Sequence, residues 1–469
     1  MPRFTLRAAA AATVLAFVSA PALSQTERAA FPEMRLAEAG ASGQRAIDLL
    51  GDKLEAVAKF YKRSPEALRE MLLRDPLMRL DRNGRLYVVE EMDHPLPSDG
   101  KDFVEGTAPA PLDNTFLLHS RPGAKRTIYL DFNGAVIQNT AWNSGGNTIN
   151  AQAFDFDGNV NSFSAAELER IQYIWQRVAE DYAPFDIDVT TEQPSADKLT
   201  RSSDTDDVYG TTAVITNHNG VYNCSCGGVA YVGVYDNVGD YYKPALVFWD
   251  MLGTGNEKYV AEATSHEVGH NLGLGHDGTS QVGYYGGHGD GVTGWAPIMG
   301  VGYYKETAQW SQGEYADANN KEDDFAVMVS NGGPLRKDDH GNGISKASAL
   351  STSPAGSNVN LSGKGVIETR KDKDVFSFSA KAGSGTITVT PDTRSANLDV
   401  LVKIMKADGK VIAKGKPADQ LGATVTFTLP AAGKYYVAID GIGFKTPTDG
   451  YSDYGSLGQY SITGTVPAP

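Results

Sequence analysis

The chain has 469 residues, which exceeds the size of one compact domain and predicts about three domains. Hydrophobic residues make up 41% of the chain and charged residues 21%. This balance is typical of globular proteins and excludes a disordered or collagen-like chain. The formal charge of −15 makes nucleic acid a poor partner, because an acidic surface repels the phosphate backbone.

Residues 1–24 have the pattern of a secretory signal peptide. Arg3 and Arg7 precede an apolar run over residues 8–18, and small residues follow it. This run is shorter than the roughly 20 residues that span a bilayer, and no later apolar run reaches that length. We therefore expect a secreted protein, extracellular or periplasmic, that is monomeric and has no integral membrane segment.

Residues 25–123 are charged and helix-prone, and we interpret them as a propeptide. Residues 46–60 are amphipathic, and Ser64 before Pro65 is typical of a helix start. The turn residues 81–84, which end in Asn83-Gly84, precede the apolar residues 86–89 and predict a β-hairpin.

Residues 124–332 alternate between strand and helix signals and predict a mixed α/β layer. Alternating apolar residues at 128–132 indicate a strand. Ser164 and Glu167 form a capping box at the start of a helix that Pro184 ends. Further strands are predicted at residues 185–189, 212–216, 228–234 and 245–249.

The two cysteines of the chain are Cys224 and Cys226. Two are too few for a disulfide-stapled fold or a four-thiolate zinc site. In an exported chain they bind each other, pair with another chain or stay free, and we favour a disulfide between them.

Residues 265–277 contain the strongest chemical signal of the chain. His266 and His270 are four residues apart, so on a helix both imidazoles project from one face toward one metal ion. Glu267 lies beside this pair, where a general base is needed. A histidine-rich helix end without metal is one alternative. A structural zinc site is another, but it would want a fourth protein ligand and would not need Glu267.

Gly273 predicts a sharp end to this helix, because glycine adopts a positive φ at little cost. The chain then turns back, and His276 supplies a third ligand. Three histidines leave one zinc position open for water, as in catalytic sites. The expected cofactor is one catalytic Zn²⁺, which lowers the pKa of that water toward about 7 and polarises the scissile carbonyl while Glu267 takes the proton.

This motif resembles that of the metzincin zinc peptidases, H-E-x-x-H-x-x-G-x-x-H followed by a methionine turn. The resemblance implies that Met299, within residues 295–300, forms an apolar floor below the three imidazoles. Asp277 resembles the adamalysin or reprolysin branch, in which this aspartate supports the active-site turn. Astacin-like and serralysin-like members carry a tyrosine two residues after the methionine, but Val301 stands there, so neither Tyr303 nor Tyr304 is assigned as a ligand.

The resemblance implies an α+β catalytic domain over residues 124–332, with a mixed sheet, an active-site helix and a Met-turn, behind a helical N-terminal propeptide. It also implies that residues 228–234 form an edge strand to which an extended substrate adds as a further strand. An interior strand is the alternative.

Residues 333–363 are rich in Gly, Ser, Asn and Lys without hydrophobic periodicity, which predicts a linker or the loosely packed start of a domain. Short apolar runs separated by turns predict a β-sandwich over residues 364–469. The segments around Asp372 to Phe378 and Asn397 to Val400 resemble the bacterial pre-peptidase C-terminal domain. That resemblance implies a role in targeting or secretion more than in catalysis.

Two acidic groups are candidates for calcium, although plain loops are favoured at both. Asp155, Asp157 and Asn159 supply alternating oxygen ligands, yet Ala166 stands where an EF-hand loop has its last ligand. The acidic residues near Asp338 and Asp372 are interpreted as solvated loop residues.

Together these patterns predict a secreted zinc-dependent endopeptidase that acts on a protein or peptide substrate and is made as a proenzyme. The alternative is a secreted adhesin or matrix-binding protein with a vestigial zinc site. Because residues 25–123 contain no cysteine, a thiolate cannot cap the zinc of the proenzyme. Asp93, His94 and His119 are the candidates for that role.

Overall fold

The computed structural model describes residues 28–92, Leu96 and residues 108–469. The predicted signal peptide, Asp93 and His94 lie outside the described residues. The α-helices in the described part are α1 (Gly43–Leu50), α2 (Leu54–Phe60), α3 (Pro65–Arg74), α4 (Ala165–Asp181), α5 (Ala196–Leu199), α6 (Glu257–Asn271) and α7 (Asp324–Ser330). Within these ranges no helix combines the length and hydropathy needed to cross a bilayer.

The N-terminal segment forms three helices and a hairpin. The amphipathic stretch at 46–60 is two helices rather than one, because Gly51 has a φ of 47° and interrupts the helix. The side chain of Ser64 caps α3 by accepting a hydrogen bond from Ala67 N at 3.1 Å. Strand β1 (Met78–Leu80) pairs antiparallel with β2 (Leu86–Glu91) across the predicted turn.

The central region contains strands β3 (Arg126–Asp131), β4 (Ala135–Ile137), β5 (Ile149–Ala151), β6 (Ile187–Thr190), β7 (Tyr209–Thr216), β8 (Cys226–Tyr231), β9 (Ala245–Phe248), β10 (Trp295–Pro297) and β11 (Thr307–Gln309). The main sheet has seven strands in the order β1-β2-β8-β9-β7-β3-β6. Strands β9, β7, β3 and β6 are parallel, and β8 is antiparallel to β9. The mixed α/β layer predicted from the sequence is present.

Strand β8 does not lie at the edge of this sheet. Strand β2 pairs with it antiparallel, with Tyr87 opposite Tyr231 and Val89 opposite Val229. In the intact chain the interior alternative is therefore correct, because the N-terminal hairpin covers the position predicted to be open to substrate.

Helices α4 and α6 pack on one face of the sheet around a shared apolar core. Ile174 and Val178 of α4, Val260 and Val268 of α6, and Val247 of β9 are all buried in it. Burial of apolar surface stabilises a fold by about 25 cal/mol per Å², so this core dominates the stability of the region. Helix α6 is buried on nearly every side, so its side chains are held in fixed positions.

The C-terminal region is a sandwich of two five-stranded sheets, with orders β12-β15-β20-β17-β18 and β13-β14-β21-β16-β19. Its strands are β12 (Ser348–Ala349), β13 (Ser351–Ala355), β14 (Asn358–Ile367), β15 (Lys373–Ala380), β16 (Gly383–Pro391), β17 (Val400–Lys406), β18 (Val411–Gly415), β19 (Ala423–Leu429), β20 (Gly433–Gly441) and β21 (Gly458–Pro467).

The predicted linker at 333–363 is too long, since strands of the sandwich begin at Ser348. Strand β13 lies at a sheet edge and is exposed along most of its length. An exposed edge strand has no buried face to impose an apolar pattern, which explains why the sequence of this segment resembles a linker.

The sandwich docks against α4 and the start of α6 through polar contacts. Asn397 Nδ2 donates to Asp181 Oδ1 at 2.8 Å, and Arg394 lies 2.8 Å from Glu257. Glu180 accepts from the backbone of Gln459 at 3.1 Å. Asp181 links the sandwich to the histidine end of α6, because it also accepts a hydrogen bond from Ser265 Oγ at 2.6 Å.

Candidate metal centre

Helix α6 places the first two histidines. Asn256 caps the helix by accepting hydrogen bonds from the backbone of Lys258 at 3.0 Å and Tyr259 at 3.1 Å. His266 and His270 follow one turn apart, and their ring centroids lie 4.7 Å from each other. Both side chains are buried, so the helix presents them as one rigid pair.

A tight turn after α6 brings the third histidine back to this pair. Gly273 has a φ of 99°, and Leu274 N closes the turn by donating to Gly269 O at 3.1 Å. As a result, His276 Nε2 lies 3.0 Å from His270 Nε2. Gly273 thus adopts the positive φ expected from the sequence, which an L-residue with a side chain rarely adopts.

The outer nitrogens of the α6 histidines are committed to hydrogen bonds. His266 Nδ1 is 2.9 Å from the carbonyl oxygen of Ile298, and His270 Nδ1 is 2.9 Å from that of Leu274. A carbonyl oxygen can only accept, so each Nδ1 carries the proton and each Nε2 keeps its lone pair. This is the tautomer that a metal-binding histidine requires.

The outer nitrogen of His276 faces a carboxylate from the N-terminal segment. His276 Nδ1 lies 2.8 Å from Oδ2 of the buried Asp75. A carboxylate behind a ligating imidazole fixes the ring and makes it a stronger ligand. Asp75 is a contact that the sequence did not predict.

The three Nε2 atoms and a fourth group, Glu90, converge on one point. Glu90 Oε1 lies 2.8 Å from His276 Nε2, 3.3 Å from His270 Nε2 and 3.5 Å from His266 Nε2. These four ligand atoms all lie within 4.8 Å of one another. Among the described residues His266 Nε2 has no hydrogen-bond partner although it is buried. Three imidazoles and one carboxylate are a donor set that fits zinc.

Glu90 lies at an irregularity in the β-sheet. The pairing of β2 with β8 shifts between Val89 and Glu91, so that Gly227 and Gly228 of β8 together lie opposite Glu90, and a bulge of this kind changes the direction of the side chains beside it. Burial opposes ionisation of Glu90, but the charges of His276 and His266 outweigh it and hold the pKa of Glu90 well below its usual range.

The pKa values of the histidines reflect the same cluster of charges. Burial lowers the pKa of His270 to about 4, so this imidazole is neutral at pH 7. Burial also acts to lower the pKa of His276, but Asp75 and Glu90 outweigh it and raise that pKa well above its usual range. A divalent cation would replace the proton of His276, because metal and proton compete for the same lone pair.

Glu267 lies beside the histidines with no partner of its own. It is fully buried, and neither carboxylate oxygen has a hydrogen-bond partner within the described ranges. Burial and the nearby negative charge of Glu90 raise its pKa well above the usual range. Gly228 of β8 makes this packing feasible, since a Cβ there would lie 2.1 Å from Glu267 Oε1.

Met299 and Asp277 are both buried and are joined by a backbone hydrogen bond. Met299 is fully buried, and its carbonyl oxygen accepts from Asp277 N at 2.8 Å. The Met299 sulfur approaches Gly269 of α6, where a Cβ would lie 2.7 Å from it. Burial raises the pKa of Asp277, and the charge of Arg74 acts against this shift.

Tyr284 is a third residue at the cluster, after Asp75 and Glu90, that the sequence did not single out. Its hydroxyl donates to Glu90 Oε2, and its ring centroid lies 4.6 Å from that of His276. It comes from the stretch 283–295, which has no hydrophobic periodicity and no motif that marks Tyr284 as a functional residue. Tyr303 and Tyr304 both line the cavity next to the cluster, although Tyr304 is 63% exposed.

That cavity has a volume of about 240 Å³ and lies between His266 and the residues that follow Glu90. Met92 and Leu96 of the N-terminal segment line it together with Ala263 of α6. Met92 N donates to Ser225 O at 2.7 Å, in the loop between the cysteines. Cys224 and Cys226 form a disulfide on either side of Ser225.

His119, a sequence candidate for capping the zinc, lies elsewhere. Its ring nitrogens contact Asp188 at 2.6 Å and Glu192 at 2.7 Å. Glu90 lies at the cluster instead. It was missed because nothing in its local sequence distinguishes it from the adjacent Glu91.

The two candidate calcium groups differ from each other. Asp155, Asp157 and Glu167 bring ligand atoms together, but Asp155 Oδ1 accepts from three backbone amides, as in the plain turn that we predicted. The group near Asp338 does not match our interpretation as solvated loop residues, because Asp372 and Asp374 are 4% and 0% exposed.

Comparisons with known proteins bear on both halves of the chain. Residues 167–277 match Metallo-peptidase family M12B Reprolysin-like, and residues 372–441 match the bacterial pre-peptidase C-terminal domain. A comparison with curated proteins finds no match.

Among solved structures, the chain is similar to the pre-peptidase C-terminal domain of collagenase from Bacillus anthracis. The identity is 18% over 22% of this chain and 88% of that chain, with a TM-score of 0.17. It is also similar to a family 6 carbohydrate-binding module from Clostridium cellulolyticum in complex with xylose, at 13% identity over 26% of this chain and 88% of that chain, with a TM-score of 0.13. We base no functional argument on these two structures. The two family matches confirm both resemblances seen in the sequence: the chain carries a reprolysin-like M12B metallopeptidase region and a bacterial pre-peptidase C-terminal domain.

Proposed function

We propose that the chain is a secreted zinc endopeptidase that is made as a latent proenzyme. The observation that carries this proposal is the convergence of three imidazole Nε2 atoms next to a buried carboxylate, Glu267, which has no hydrogen-bond partner in the described part of the chain. A structural zinc site would have no use for that carboxylate. The match of residues 167–277 to the M12B family supports the same conclusion.

His266, His270 and His276 would hold the zinc. A zinc ion there supplies an activated water and polarises the scissile carbonyl. Glu267 accepts the proton of the attacking water and later delivers it to the leaving amine. Its burial next to Gly228 keeps the carboxylate close to the histidines, so little reorganisation is needed when it takes the proton.

The substrate would bind as an extended strand along β8. Backbone pairing at a sheet edge gives affinity with little sequence preference, and pockets such as the cavity near Ala263 then select side chains. Strand β2 occupies this position in the intact chain. We therefore assign the N-terminal segment, residues 25–123, the role of a propeptide that fills the cleft until it is cleaved.

Polar contacts outside the cleft attach this segment to the rest of the chain. Arg28 pairs with Asp236 at 2.9 Å, and Arg63 donates to the carbonyl oxygen of Gly273 at 2.9 Å. The Gly273 contact lies on the turn that positions His276. The segment thus stabilises the metal-binding turn while it blocks access to it, as a propeptide that assists folding would.

The adhesin alternative is not favoured. A vestigial site would not maintain three histidines with correctly oriented outer nitrogens and a buried Glu267 without a partner, since an unpaired buried carboxylate costs stability. In our proposal the C-terminal sandwich acts in targeting or secretion, as its family match suggests.

The experiment compares the parent chain with Glu267→Gln after limited proteolysis of the N-terminal segment. We expect casein cleavage by the parent, inhibition by phenanthroline, and a loss of about 10²–10⁴-fold in the variant at unchanged zinc content. Glu306→Gln, an exposed glutamate, is the control and should behave as the parent. A parent that binds no stoichiometric zinc, or a Glu267→Gln variant that retains full activity, would contradict the proposal.

A further inference from the structure

Tyr284 lies next to the metal centre and contacts both His276 and Glu90. Its ring packs on His276, with the ring planes 55° apart, and lies 6.1 Å from the ring of His266. Its hydroxyl donates to Glu90 Oε2, while Glu90 Oε1 faces the three Nε2 atoms. The hydroxyl is thus directed at a negatively charged oxygen immediately next to the metal-binding point.

The carboxylate of Glu90 resembles the group that forms during peptide hydrolysis. Both have two oxygens on one carbon and carry negative charge. In Glu90 one oxygen faces the histidines and the other accepts from Tyr284. A donor that is already directed at the position of developing charge stabilises the transition state more than the substrate.

The backbone next to Tyr284 is held by residues outside the N-terminal segment. The next residue, Tyr285, donates its backbone N–H to Asp277 O at 2.8 Å and accepts from Val301 N at 3.0 Å. The ring of Tyr285 also stacks on Tyr315, with centroids 4.4 Å apart and planes 3° apart. Because none of these partners belongs to the N-terminal segment, we expect the backbone at Tyr284 to keep its position when the strand carrying Glu90 leaves.

Resting on the proposed function, we infer that Tyr284 is a further catalytic residue, whose hydroxyl donates a hydrogen bond to the oxyanion formed from the scissile carbonyl. The water oxygen bonds to the carbonyl carbon, the carbonyl π electrons move to the oxygen, and Glu267 takes the water proton. The C–N bond then breaks, and Glu267 returns the proton to the amine. Tyr284 keeps its own proton throughout.

The test uses the full chain after processing of its N-terminal segment, with Tyr284→Phe and the matched control Tyr285→Phe. The control removes a hydroxyl from the same short stretch, but one that contacts His288 Nδ1 at 2.7 Å rather than Glu90. For Tyr284→Phe we expect kcat on a peptide substrate to fall about 10²-fold, with KM within about twofold and zinc content unchanged. For Tyr285→Phe we expect parent values.

Calorimetry gives a readout that does not depend on turnover. A phosphinic peptide, whose two oxygens on phosphorus imitate the tetrahedral adduct, should bind Tyr284→Phe more weakly by about the factor lost in kcat/KM. A substrate-like peptide measured in the inactive Glu267→Gln background should bind equally with and without Tyr284→Phe.

The results distinguish a failure of this inference from a failure of the proposed function. Parent-level kcat and phosphinic-peptide affinity in Tyr284→Phe would overturn the inference while leaving the proposed function intact. An effect confined to the unprocessed chain would also overturn it, because Tyr284 would then only hold Glu90. A processed parent with bound zinc but no peptidase activity would contradict the proposed function itself, and the inference with it.

Discussion

Glu90→Gln is the substitution that most directly tests latency, because it removes a charge and keeps the shape of the side chain. Glu90 is 14% exposed and makes two short contacts, with His276 and Tyr284. A hydrogen bond to a charged group contributes about 1.5–3 kcal/mol. A neutral amide retains about half of the energy of the two contacts, so the expected loss is about 1.5–3 kcal/mol.

This loss acts on the equilibrium between a covered and an open cleft. At 1.4 kcal/mol for each factor of ten, the open fraction of the full-length chain should rise roughly 10- to 150-fold. The assay is the initial rate on a fluorogenic peptide, measured while mass spectrometry shows that the N-terminal segment is still uncleaved. Peptidase activity of the full-length variant should exceed that of the parent by the same factor.

Glu91→Gln is the matched control. Glu91 is the next residue of β2, is exposed, and contacts Arg79 at 2.6 Å instead of the histidines. Its substitution should leave the rate at the parent level. The reasoning is refuted if Glu90→Gln has the parent rate at equal zinc content, or if Glu91→Gln raises the rate as much.

Two further predictions concern stability. Gly273→Ala should lower the free energy of unfolding by about 1–3 kcal/mol and weaken zinc binding, because φ is 99° and a Cβ would lie 2.5 Å from Asn331 Nδ2. Urea unfolding and a zinc titration measure the two effects. A variant with the stability and the zinc affinity of the parent would contradict the prediction. Burial raises the pKa of Asp399 to about 7, so the native state binds this proton more tightly than the unfolded state, and stability declines as pH rises from about 4 to 7. Asp399→Asn should remove that decline in stability, which amounts to at most roughly 4 kcal/mol, while its amide still accepts a hydrogen bond from Tyr451. The free energy of unfolding is measured against pH for both proteins. Equal pH dependence in the parent and the variant would contradict the prediction.

The histidine cluster could be predicted because its geometry is local. His266 and His270 are one helical turn apart, and Gly273 permits the turn that returns His276. The spacing of these residues along the chain is therefore enough to bring them together. The same holds for the capping box at Ser164 and for the hairpin turn that ends at Gly84, whose hydrogen bonds span only a few residues.

Glu90, Asp75 and Tyr284 could not be predicted in this way. Glu90 is separated by 186 residues from His276, and only the pairing of β2 with β8 brings the two together. The hairpin was predicted, but a β-strand sequence does not reveal which other strand it will join. For the same reason, the sequence could not reveal that β2 covers the sheet edge at which we expected substrate to bind.

The sequence-based predictions also failed where a charged side chain is buried. Asp374 was expected to be solvated, yet it is fully buried and accepts from Tyr460, a residue 86 positions away. Burial raises its pKa to about 8. Aspartate side chains are usually exposed, and only the packing of the two sheets distinguishes Asp374, which lies in β15.

X-ray absorption at the zinc K-edge of the folded, full-length chain tests the central claim most directly. We predict one zinc per chain, with three imidazole nitrogens at about 2.0–2.1 Å and one carboxylate oxygen at about 2.0–2.2 Å. Folded protein without stoichiometric zinc, or zinc whose spectrum lacks the scattering of three imidazole rings, would contradict it.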